Sequence, residues 1–126
     1  MIEVPVSWGE LVDKITILEI KDERIADPAK RANVVRELTL LRERFAAAPP
    51  VDGVARVTAD LKSVNESLWA IEDEIRDQER AGTFGDRFVE LARAVYRTND
   101  RRSDLKREIN RLLGSAIVEE KSYQPY

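Results

Sequence analysis

Between residues 57 and 75 the apolar side chains Val57, Leu61, Val64, Leu68, Ile71 and Ile75 recur at spacings of four, three, four, three and four. A strand, with its period of two, cannot put these six on one side, whereas an α-helix aligns them as one continuous stripe. A stripe of that length has to be covered by another helix. The chain is thereby committed to helix-on-helix packing, and its other segments read as the covering partners.

Their boundaries are written in caps and breakers. Ser7 followed by Glu10 is a capping box, with Val6 and Leu11 at the two positions of a hydrophobic staple, so helix 1 is expected from Ser7 to about Ala26. Leu11, Ile15, Leu18 and Ile25 line one face of it, and Val12, Ile17 and Ile20 carry the apolar surface round the cylinder, as in a central helix. Asp27-Pro28 starts helix 2, whose face is Val34, Leu38, Leu41 and Phe45, and Pro49-Pro50 closes it. Asp52-Gly53 opens helix 3 and Gly82 stops it. After Thr83–Gly85, Asp86 is expected to cap helix 4, which shows Phe88, Leu91, Ala92 and Val95, then Leu105, Ile109, Leu112 and Leu113, and ends at Gly114. Short links make neighbouring helices antiparallel. The expectation is an all-α, antiparallel bundle of about four helices forming one domain over residues 1–126. Short extended segments flank it, Ile2 to Val6 and the tail SAIVEEKSYQPY, with Ile117, Val118 and Tyr123 packing the tail back on the bundle.

Two absences narrow the chemistry. Without cysteine there is no thiolate nucleophile or zinc–sulfur site, and without histidine the usual general base and transition-metal ligand are missing. No cofactor and no metal site are expected. A net charge of -3, from 24 acids and 21 bases, argues against a nucleic-acid surface. Apolar runs fall far short of the ~20 residues of a membrane span. The N-terminus MIEVPVSWGE lacks the pattern of a signal peptide, so a cytoplasmic location is expected.

In a bundle, the informative positions are polar residues inside an apolar stripe. Between Val95 and Ile109 the inward positions of helix 4 are Asn99, Arg102 and Lys106, with Tyr96 and Asn110 on the shoulder. Helix 1 carries Asp22 and Glu19 beside Leu18 and Ile25, and helix 3 carries Glu72 beside the Leu68–Ile75 seam, next to Asn65, Trp69 and Arg76. One reading makes this a register-fixing network, with those acids opposite Arg102 and Lys106. The other makes it an anion pocket. Arg102 and Lys106 would then hold a phosphate or carboxylate, with hydrogen bonds from Asn99 and Tyr96 and with Glu72 orienting the bases. We favour the network. Convergence of the two bases without acids to pair them would reverse that preference, and full ion pairing would remove the pocket.

Smaller features are weighed the same way. Glu72 and Arg76 are spaced for an ion pair within helix 3. Asp100, Asp104 and Glu108 form an acidic ridge, more simply a solvated face than a Mg²⁺ site. Trp8 and Trp69 read as core or interface anchors. The arginine pattern of helical chorismate mutases and the paired ExxE acids of helical nucleoside-triphosphate pyrophosphohydrolases do not fit the spacings here.

Four strings taken together, VPVSWGELVDKITILEIK, LWAIEDEIR, FVELARAVYRTNDRRSDLKREIN and IVEEKSY, resemble a family of short bacterial, all-helical proteins known only as a domain of unknown function. The resemblance spans essentially the whole chain and is weakest over Ala26–Thr58. It includes Glu72, Asp73, Arg76, Asn99, Asp100, Lys106 and Asn110, several of them in the polar layer. The family has no assigned activity, so no catalytic residue is carried over. Relatives near or joined to glycosyltransferases imply a protein partner in surface-polysaccharide synthesis. The expected function is an interaction or binding module, a homodimer that acts through its helical faces or its tail on a cytoplasmic partner. The alternative is a small enzyme or ligand-binding domain using the Arg/Lys layer on a phosphorylated or carboxylated metabolite.

Overall fold

The computed structural model describes residues 1–126 as four helices and no strand: α1 (Trp8–Arg24), α2 (Pro28–Phe45), α3 (Val54–Ala81) and α4 (Asp86–Leu113). The all-α bundle expected from the stripes is what forms. Ser7 caps α1, its Oγ accepting the Glu10 N–H at 3.1 Å. The reciprocal half of the capping box is not made, because the Glu10 carboxylate turns instead to Lys106. Asp27 caps α2 on the Ala29 N–H, with Pro28 in the first turn. α2 stops at Phe45, before the double proline, in a turn closed by the Ala46 and Ala48 N–H groups. Gly85, not Asp86, takes the cap position of α4, and Asp86 is the first helical residue, where its charge faces the positive end of the helix dipole. Gly82 and Gly114 end α3 and α4 in the left-handed region, at φ 69° and 61°.

α1 is the centre, as its all-round apolar surface requires. It is the one helix that packs on all three others, and α2 runs along α1 alone. Two apolar clusters result. Leu11, Ile15 and Leu18 of α1 meet Val34 and Leu38 of α2. On another side, Val12 joins Val57 and Leu61 of α3 with Leu105 and Ile109 of α4. Trp8 touches both clusters and meets Phe45 edge-on, with centroids 6.2 Å apart.

The approach of α1 to α4 depends on Gly9. A Cβ at this position would collide with the Lys106 carbonyl oxygen and lie 2.9 Å from Asn110 Oδ1. The bare backbone instead donates its N–H to that Oδ1 at 2.6 Å. This crossing sets the level at which every later side chain of α1 meets α4.

The terminal segments are extended but do not pair as strands. Ser115 ties them at one end of the bundle, its Oγ accepting the Trp8 N–H and donating to the Ile117 carbonyl. The tail does return along α4, but through polar groups. Glu119 reaches Lys106, and the Tyr126 hydroxyl bonds Asp100 while its ring stacks edge-on against Tyr96. Ile117, Val118 and Tyr123, expected to dock it, are exposed.

Candidate functional site

One side of α1 faces α3 and α4 across the polar layer. Asp13 lies on this face and is only 1% exposed, which would be untenable for a lone carboxylate. It is satisfied from two helices. Arg102 of α4 donates through Nε, at 2.9 Å, and through Nη2, a bidentate pair. Asn65 of α3 donates to Asp13 Oδ1 and to Thr16 Oγ1, both at 2.9 Å, and Thr16 donates to the Asp13 carbonyl. The hydrogen bond to Asp13 raises the pKa of the Arg102 guanidinium against the opposing effect of burial. One turn along, Lys106 sits between Glu10 and Glu119 at 2.7 and 2.8 Å. Burial disfavours the ammonium, yet hydrogen bonds to these two carboxylates outweigh it and the Lys106 pKa is raised. The same contact lowers the pKa of Glu119.

The eight residues singled out in the sequence therefore do not form one site. Arg102 and Lys106 share the layer, but their partners are Asp13, Glu10 and Glu119. Glu19 and Asp22 are elsewhere, paired with Arg42 and Arg31 of α2 at 2.7 and 3.1 Å. The reason is that the Leu11–Ile15–Leu18 face packs on α2, so acids beside that face meet the flank of α2 and not α4. Glu72 pairs with Arg76 in its own helix at 3.1 Å. Asn110 is buried at the Gly9 crossing. Tyr96 is turned away, under the tail. The acidic ridge is divided as well, Asp100 accepting from Tyr126 and Glu108 paired with Arg111, and no group of acids on the molecule has the geometry to hold a metal ion.

Asp13 and Thr16 were not picked out from the sequence, and Asn65 was marked only as a neighbour of Glu72 on helix 3. The signal was present, since a helix apolar all round has no solvent side at Asp13, and Thr16 and Ile20 follow it at three and seven residues.

Space is distributed unevenly around this layer. Where an anion would sit against Arg102 and Lys106 there is a gap of about 50 Å³, bordered by Glu119. That is far below the roughly 300 Å³ at which small-ligand sites begin. A groove of about 450 Å³ opens instead where α1, α3 and α4 meet, lined by Ile17, Trp69, Glu72, Asn99 and Arg102 among others.

The sequence model of a family described as a family of unknown function (DUF6165) matches residues 2–126. The chain belongs to DUF6165. No curated protein and no solved structure shows a match. This DUF6165 chain therefore has to be read from its own geometry. No helix in it is long and apolar enough to cross a membrane.

Proposed function

We propose that this DUF6165 chain is a non-catalytic interaction module of the cytoplasm, acting beside surface-polysaccharide synthesis, and that its first partner is a second copy of itself. The observation that carries this reading is the pair of extended segments at one end of the bundle. Ile2, Val4 and Val6 leave α1 with much of their surface exposed, and Ile117 and Val118 leave α4 in the same state. Their backbone edges are unpaired, which is how a chain recruits a partner by strand addition. The link to polysaccharide synthesis rests on the sequence resemblance alone.

The closed layer supports the same reading against the metabolite alternative. Each of its bases is already neutralised, and a buried base that has partners offers an anion little. The observation that speaks for the alternative is Glu119, a tail carboxylate lying where an anion would go. Even with Glu119 displaced, Glu10 would remain on Lys106.

Sedimentation velocity tests the proposal. The chain is expected to self-associate with rising concentration, and Val4→Asp combined with Ile117→Asp should return it to monomer with its helix content unchanged. If the wild type stays monomeric, photo-crosslinking in cells from position 4 decides whether another protein covers this end. Absence of any adduct would sink the reading.

A further inference from the structure

We infer that the groove at the junction of α1, α3 and α4 binds a neutral, hydroxyl-bearing ring, a sugar or cyclic polyol. The groove lies apart from the terminal segments proposed above as the interaction surface: Ile20 is about 18 Å along α1 from Trp8, at 1.5 Å per residue. The two proposals are independent.

Its volume, about 450 Å³, falls within the range of small-ligand sites. Its walls are of two kinds. Ile17, Ile20 and Leu68 give an apolar floor, and Trp69 adds an indole. The Arg24 guanidinium lies 5.9 Å from its ring centroid. Around this floor stand flat polar groups with capacity to spare. Arg102 spends Nε and Nη2 on Asp13, and Nη1 has no partner in the chain. The Asn99 amide borders the groove and takes part in none of the chain's side-chain hydrogen bonds, so it offers two donors and an acceptor. Glu72 and Asp73 supply acceptors.

Charge decides what such a set can take. Asp13 offsets Arg102, Arg76 offsets Glu72, and Asp73 has no ion-pair partner. An anion would meet a pre-neutralised guanidinium and a free carboxylate, so anions are disfavoured. A hydroxyl both donates and accepts, and thus suits a rim of mixed donors and acceptors. A sugar ring also has an apolar C–H face to lay on Trp69 and the aliphatic floor.

Saturation-transfer NMR on the full chain tests this. The probes are methyl glycosides of glucose, galactose, mannose and N-acetylglucosamine, together with myo-inositol, inorganic phosphate and adenosine. At least one neutral sugar or polyol should bind saturably in the millimolar range, with transfer strongest at its C–H face. Asn99→Ala, which removes no intrachain hydrogen bond and should leave the fold intact, is expected to weaken it by about tenfold, and Trp69→Leu by as much or more. The inference is overturned if no neutral ring binds, if binding is unchanged in Asn99→Ala, or if phosphate or adenosine binds more tightly. Self-association at the termini is measured separately, so either proposal can fail alone.

Discussion

Asp13 is the residue on which the interior depends. A carboxylate 1% exposed is tolerable only because Arg102 and Asn65 between them occupy its oxygens. Removing Arg102 leaves that charge buried with one amide. Breaking such a pair costs roughly 3 kcal/mol, the low end for buried pairs, since the Arg102 side chain retains 30% exposure. Arg102→Ala is therefore expected to lower unfolding free energy by about 3 kcal/mol in urea titration. Adding Asp13→Leu should recover part of that loss, because it removes the buried charge that Arg102→Ala leaves unpaired. A double variant no better than Arg102→Ala would show that the pairing contributes little. Buried charge was where sequence reading fell short. It marked Arg102 and Lys106 as out of place on an apolar stripe but matched them to Glu19 and Asp22, because it could not tell which face of an all-apolar helix turns toward which neighbour.

At the scale of elements, stripes, caps and breakers were legible because they are local. The stripe from Val57 to Ile75, the Ser7 and Asp27 caps and the glycine stops at Gly82 and Gly114 all act within a turn or two of themselves. The α1–α4 crossing was not legible, since it depends on a missing side chain. Gly9 follows Trp8 in the first turn of α1 and looks like a weak helix residue until the Lys106 carbonyl is placed against it. Gly9→Ala improves helix propensity, yet it should destabilise the protein by about 3 kcal/mol, combining overpacking against rigid backbone with loss of the bond to Asn110. Thermal or denaturant unfolding of that variant measures the sum. A neutral or stabilised Gly9→Ala would mean that the helices do not approach this closely. The tail escaped reading for a related reason. Its apolar residues suggested how it would dock, whereas Glu119 and Tyr126 hold it, through partners on α4 that no local pattern announces.

For the molecule as a whole, the surface divides by what is already satisfied. The centre of the bundle is closed, with Arg102 held by Asp13 and Lys106 held by Glu10 and Glu119. What remains open is the apolar end where both termini leave, and the groove beside Trp69. Anion binding is thereby withheld from the charged layer, and the other binding is assigned to the groove and the apolar end. Thermal unfolding in the presence of inorganic phosphate, pyrophosphate and succinate, with sodium chloride matched for ionic strength, tests that division most directly. No stabilisation beyond the salt control is expected, for the wild type as for Arg102→Ala. A saturable rise that reaches about 2.7 kcal/mol at a hundred times the dissociation constant, and that Arg102→Ala abolishes, would contradict it.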